Sequence, residues 1–166
     1  WKVEADKIFV QGCSAGGHLA ASLGVFWQEQ WLADKVGVSS DVLRPAGLIL
    51  CYPVITSGEF AHRGSFENLL RGQYTEEMLE RTSLEKQVTK QMPPVFLWHT
   101  FTDGSVPVEN SLLFVAALRK HGISTEFHMY PVGGHGLATC DEQTAHPDRH
   151  NIQVECQSWL PLVKTW

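Results

Sequence analysis

No apolar run in this 166-residue chain approaches the length needed to span a bilayer, which takes about 20 consecutive apolar residues. No leader of the charged-then-apolar kind is visible either, so no membrane partner is expected. Cysteine is sparse, and Cys13, Cys51, Cys140 and Cys156 form no C-x-x-C pair; that excludes the common zinc-ribbon and dithiol motifs and a small disulfide scaffold. Cys13 and Cys51 fall beside or within apolar strand patterns, where a free thiol behaves as a small hydrophobe, and a reducing, cytoplasmic setting is the expectation. Basic residues are few and scattered, 13 Lys and Arg against 18 Asp and Glu for a net charge of −5. This leaves no electrostatic footprint for nucleic acid, which is excluded as the main partner. Repeats and low-complexity stretches are also missing. What remains, 43% hydrophobic and 19% charged residues, describes an ordinary globular chain long enough for one domain with a real core.

Against those absences, one segment stands out. The apolar stretch Ile8-Phe9-Val10 runs into Gly12-Cys13-Ser14-Ala15-Gly16-Gly17-His18-Leu19-Ala20, which reads as strand, sharp turn and helix with a serine at the apex. This is the G-x-S-x-G nucleophile elbow, in which Gly12 and Gly16 are expected to give the turn its clearance. A helix that starts at the serine aims its free N–H groups and positive dipole end at the place where negative charge would develop. The pentapeptide alone is equally an ordinary strand-to-helix turn.

Two later segments supply what such a serine needs. Val95-Phe96-Leu97-Trp98-His99-Thr100 reads as a buried strand and is followed by Phe101-Thr102-Asp103-Gly104. Asp103 thus stands just past a strand's carboxyl end, where open α/β sheets build their sites. Thr125-Glu126-Phe127-His128-Met129-Tyr130 reads as another strand, followed by the glycine-rich loop Pro131-Val132-Gly133-Gly134-His135-Gly136. The order Ser, Asp, His differs from the chymotrypsin and subtilisin orders.

With these stretches in view, the chain resembles the catalytic half of an α/β-hydrolase of the carbohydrate-esterase type, close to acetylxylan and feruloyl esterase-like proteins. The resemblance rests on the residues from Phe9 to Ala21, on Pro93-Pro94-Val95-Phe96-Leu97-Trp98-His99, on the run from Asp103 to Ser111, and on Gly133-Gly134-His135-Gly136-Leu137. It implies Ser14 as nucleophile, His135 as general base and acid, Asp103 as the group that orients His135, and the backbone N–H of Ala15 as an oxyanion donor. It implies a carboxylic ester hydrolase that needs no cofactor and takes small-molecule or carbohydrate esters. Nothing here matches the His-Gly-Gly loop that gives such enzymes a second oxyanion donor. A truncated or processed chain, an α/β-hydrolase fold without its first strands, and weak activity are therefore the expectations.

The coarse pattern alternates strand and helix, which means a mostly parallel sheet with flanking helices. Strands are predicted at 8–11, 48–52, 95–100 and 125–130. A helix is predicted at 14–27, with Leu19, Leu23 and Phe26 on one face. Another opens at Pro107 with Val108, Leu112, Val115 and Leu118 as its apolar stripe, and stops at Gly122. Residues 56–92 read as an irregular insert over the strand ends, either a lid or a plain surface excursion. It carries helical pieces at 75–80 and at 83–88, with Ser83 as cap. The last element, 152–166, is helical with Pro161 expected to bend or interrupt it. If the first strand lies at the sheet edge, residues 8–11 offer a surface for homo-oligomer formation.

Other polar residues have plainer readings. His18 is a packing or hydrogen-bonding residue, and His99 is a core or supporting group. Ser105 and Ser111 lack the elbow context. His146 and His150 stand four apart near Cys140 and Asp141, but Pro147 lies between them and no complete ligand set emerges, so no metal is expected. Trp27, Trp31, Phe60, Phe66 and Tyr74 could stack on a sugar ring or simply fill the core. Two further readings stay open: a non-catalytic remnant that serves as an assembly module, and a peptidase or lipase on the same fold.

Overall fold

The computed structural model describes residues 2–166, so Trp1 lies outside it. Four parallel strands form one sheet in sequential order: β1 (Phe9–Cys13), β2 (Gly47–Cys51), β3 (Val95–Thr100) and β4 (Thr125–Tyr130). Between β1 and β2 lie α1 (Ala15–Phe26), α2 (Gln30–Val36) and α3 (Ser40–Leu43). The β2–β3 connection holds α4 (Arg63–Leu69) and α5 (Glu76–Thr82), α6 (Glu109–Lys120) joins β3 to β4, and α7 (Trp159–Thr165) closes the chain. Among the described residues, no helix is long and apolar enough to cross a membrane.

Strand alternation splits the core into two layers. Leu48, Leu50, Val95 and Leu97 face one side, where Ala20, Ala21, Phe114 and Leu118 cover them. Cys51, Phe96 and Trp98 face the other, against Leu137, Cys140, Cys156 and Trp159. The strand β3 is buried along its whole length, which is why Val95 to Trp98 are continuously apolar rather than alternating. Trp98 stacks on Trp159 with ring centroids 5.5 Å apart, and truncation of such a ring typically costs about 3–5 kcal/mol.

The helices sit where periodicity puts them, but two bury a different face. In α1 the buried residues are Gly17, His18, Ala20, Ala21, Gly24 and Val25, while Leu19 is 74% exposed. The small residues let the helix lie close on the sheet: a Cβ on Gly24 would come within 2.5 Å of a Leu48 methyl. In α6 the inward residues are Asn110, Ser111, Phe114 and Leu118, and Leu112 faces outward. Asn110 is buried because its Oδ1 accepts the N–H groups of Ile55 and Thr56 at 2.9 and 3.0 Å, and its Nδ2 donates to Phe60 O and Pro107 O. Gly122 does end α6, at φ +72°.

Residues 56–92 contain α4, which no period announces, and α5, whose Thr75 Oγ1 accepts the Met78 N–H at 3.2 Å as a helix cap. The piece expected at 83–88 shrinks to one 3₁₀ turn, Leu84–Lys86. Ser83 does not cap it: its Oγ accepts the Ser57 N–H and donates to Glu85. Pro161 neither bends nor interrupts α7, since it occupies the first turn, where a missing N–H removes no helical bond. The break lies earlier, where the 3₁₀ turn Val154–Ser158 gives way to α7. The helices α2 and α3, only 7 and 4 residues long, are too short to leave a hydrophobic period.

Candidate active site

Ser14 sits at the tip of β1 with φ 55° and ψ −122°, a conformation that L-residues rarely adopt and that marks a strained turn. Three backbone bonds hold it. Its N–H donates to Cys51 O at 3.0 Å, and its carbonyl accepts from His18 at 3.2 Å and Val54 at 3.1 Å. Gly12 is required by contact, because a Cβ there would lie 2.1 Å from Gly16 O. Gly16 is not: its Cβ would meet nothing within 4 Å, and the second crowded position is Gly17, 2.6 Å from Pro53 Cβ. The clearance expected at Gly16 thus belongs to Gly17.

Asp103 and His135 arrive from the ends of β3 and β4. Asp103 Oδ1 accepts the N–H groups of Ser105 and Val106, both at 2.9 Å. Its Oδ2 accepts the Nδ1–H of His135 at 2.7 Å. The other imidazole nitrogen, Nε2, then accepts the Ser14 hydroxyl at 2.8 Å. The structure therefore brings Ser14, His135 and Asp103 into one hydrogen-bonded line. An ionised carboxylate can only accept, so the imidazole tautomer with hydrogen on Nδ1 follows from chemistry. Burial pushes the Asp103 carboxyl up, but the bonds from His135, His99, Val106 and Ser105 outweigh it and hold the group well below the ordinary carboxylate range. Ala15 opens α1 directly after Ser14, and first-turn N–H groups have no intrahelical acceptor.

Supporting residues fix these three. His99 is fully buried beneath Asp103. Its Nε2 lies 3.2 Å from Asp103 Oδ2 and 3.0 Å from Val106 O, two acceptors, so this nitrogen carries the hydrogen and Nδ1 accepts from Ser111 Oγ at 2.7 Å. The His135 loop is tied back at Gly133, whose carbonyl accepts Thr100 Oγ1 and Thr102 Oγ1 at 2.9 and 3.0 Å, and whose N–H donates to Thr102 Oγ1. Gly133 has φ +149°, and a Cβ would come 2.7 Å from Thr100 Cγ2. Tyr52 stands edge-on to His135 at 5.1 Å, and its hydroxyl accepts the Ala138 N–H at 3.0 Å. Thr100, Thr102, Tyr52 and Asn110 escape sequence reasoning, since nothing in their local pattern separates them from strand or turn residues.

The remaining candidates take no part in the hydrogen-bonded line. His18 hydrogen-bonds Thr82 O through Nε2 at 2.8 Å and packs edge-on against Phe66, and Ser105 contributes only its backbone N–H. Trp27 and Phe66 are core residues, whereas Trp31 and Tyr74 are about half exposed. The Cys51 thiol is pushed far up by its contact with Cys13 and by burial, as Cys140 is by Cys156 and burial, so neither is poised as a nucleophile. A groove of about 540 Å³ opens beside Ala15 and His18, walled by Leu69, Met78 and Thr82.

The profile of the prolyl oligopeptidase family matches residues 2–151. The endo-1,4-beta-xylanase B of Butyrivibrio fibrisolvens is 40% identical over 144 residues, which cover 86% of this chain and 22% of that protein. Among solved structures, an acetyl ester-xyloside bifunctional hydrolase from Caldicellulosiruptor lactoaceticus is 40% identical with a TM-score of 0.77, over 98% of this chain and 58% of that one. A carboxylesterase from Lactobacillus plantarum is 30% identical with a TM-score of 0.81, over 99% of this chain and 58% of the other. The chain spans less than two thirds of the length of each. By the profile match over most of its length and by its fold, the chain belongs to the prolyl oligopeptidase family of α/β-hydrolases.

Proposed function

We propose that this chain carries the catalytic groups of a carboxylic ester hydrolase acting on acyl esters of carbohydrates. The observation that carries the reading is the unbroken line from Asp103 Oδ2 through His135 to Ser14 Oγ, with bonds of 2.7 and 2.8 Å. In it, His135 Nε2 takes the hydroxyl proton as Ser14 attacks the ester carbonyl, and Asp103 stabilises the imidazolium that forms. The tetrahedral oxyanion is met by the Ala15 N–H at the start of α1. Collapse expels the alcohol, protonated by His135, and leaves an acyl-serine that water attacks with His135 as base. The carbohydrate ester is favoured over a peptide because a relative of 40% identity acts, by its description, on acetyl ester and xyloside bonds.

Removal of one oxyanion donor commonly costs about 10²–10³ in turnover. With Ala15 as the donor located, weak hydrolysis is part of the proposal. The test pairs fluorophosphonate labelling with p-nitrophenyl acetate hydrolysis, for the wild-type chain and Ser14→Ala. Labelling at Ser14 that disappears in the variant, with slow ester turnover, supports the reading. A folded wild-type chain that the probe does not touch overturns it in favour of an assembly module. Cleavage of a prolyl peptide substrate in preference to the ester overturns the ester assignment.

A further inference from the structure

Beyond the serine site, one cluster on the 139–153 excursion has a ligand-like geometry. His146 and His150 both direct Nδ1 at a single atom, Asp148 Oδ1, at 2.8 and 2.5 Å. The three candidate donor atoms all lie within 4.8 Å of one another, and their side chains are exposed. The sequence reading paired the histidines with Cys140 and Asp141 and found the set incomplete. In the structure Cys140 is buried in the core, and the third donor is Asp148, between the histidines.

We propose that His146, Asp148 and His150 form a binding site for a divalent transition-metal ion of the zinc class. A zinc ion holds imidazole nitrogen and carboxylate oxygen at about 2.0–2.2 Å, which puts tetrahedral neighbours about 3.3 Å apart. The widest edge of the triangle therefore closes by no more than about 1.5 Å, within the reach of side-chain rotation. Two nitrogens and one oxygen select zinc, nickel or copper over magnesium or calcium, which prefer oxygen throughout. In the metal-free chain each Nδ1 carries a hydrogen toward the carboxylate. The cation replaces both, and those protons move to Nε2 or to solvent, while water fills the remaining positions.

The backbone is arranged in advance. Asn151 is buried, its Oδ1 accepts the His146 N–H at 2.7 Å and its Nδ2 donates to Thr144 O at 2.7 Å. The Arg149 N–H closes the turn onto His146 O at 2.7 Å. Arg149 adopts φ 60°, and its guanidinium pairs with Glu142.

Calorimetric titration of the chelator-stripped chain with zinc chloride at pH 7.5 tests the site, with Asp148→Asn and His146→Ala/His150→Ala alongside. One equivalent is expected to bind in the micromolar range, with affinity at least tenfold weaker in Asp148→Asn and lost in the double variant. Millimolar magnesium is expected not to compete. Equal far-ultraviolet spectra and thermal melts of the metal-free proteins separate ligand loss from misfolding; if the double variant misfolds, His150→Ala alone serves. No zinc binding by the wild type, equal binding by a folded variant, or displacement by magnesium would each overturn the proposal.

Discussion

His99 and His135 share one oxygen of Asp103: the buried imidazole approaches Oδ2 at 3.2 Å and the loop imidazole at 2.7 Å. The carboxylate is thereby held from beneath while it orients the ring that faces Ser14. A hydrogen bond to a charged group contributes about 1.5–3 kcal/mol, and each 1.36 kcal/mol is tenfold in rate. His99→Phe is expected to lower kcat on p-nitrophenyl acetate about tenfold or more with little change in KM, and to reduce Tm. His99→Gln, which keeps an N–H donor, should recover part of the rate. Equal kcat for wild type and His99→Phe would show that the second imidazole does not position Asp103.

The two glycines that flank the serine motif should behave oppositely. At Gly12 a methyl group would press into the Gly16 carbonyl, whereas at Gly16 it would meet open space. Gly12→Ala is expected to destabilise by about 1–3 kcal/mol or more, as overpacking does. Gly16→Ala should leave Tm unchanged or raise it, since alanine improves a helical position by up to about 1 kcal/mol. Calorimetric melts of the two variants decide this, and a larger loss at Gly16 would refute the contact analysis.

His18 gives the chain a pH response separate from the reaction. Burial holds its pKa below the ordinary histidine value, against the opposing influence of the Thr82 carbonyl and Glu85. The unfolded chain therefore binds a proton at higher pH than the folded chain does. The resulting stability is fully present above the unfolded value of about 6.5 and is lost as pH falls from there through the lower folded value. Thermal melts between about pH 7 and pH 5 should show Tm declining, and His18→Gln should flatten that decline. An identical slope in the variant would assign the effect to other groups.

Among the described residues β1 pairs with β2 alone, and Phe9, at the start of this edge, is half exposed. The free N–H and C=O groups of such an edge are a template for pairing with a second chain, and we propose self-association there. Light scattering is expected to show concentration-dependent association, and Phe9→Lys should weaken it. A monomer at every concentration would remove residues 8–11 as a self-association surface.

Much of the architecture is legible in the sequence because β-period and turn chemistry are local. The strand at 125–130 coincides with β4, and Ser14, Asp103 and His135 are each marked by a strand end followed by a turn. Two of the errors, on α1 and α6, arise where a helix has two plausible inward faces. In α1 the leucines look like the core stripe, but the alanines and glycines make the closer contact with the sheet, which leaves Leu19 in solvent. Asn110 on α6 is invisible for a related reason. Its inward direction is set by the unpaired N–H groups of Ile55 and Thr56, more than fifty residues away.

By itself, the sequence determined a parallel α/β layout and the three strand-end residues placed to meet, since apolar strand runs, the turns that follow them and helix starts are encoded within a few neighbours. Tertiary structure alone decided that His135 reaches both Ser14 and Asp103 and that Asn110 turns inward to the N–H groups of Ile55 and Thr56. Those relationships depend on distances between side chains brought together by chain folding. A hydrogen bond across the fold leaves no periodic trace in the order of the residues.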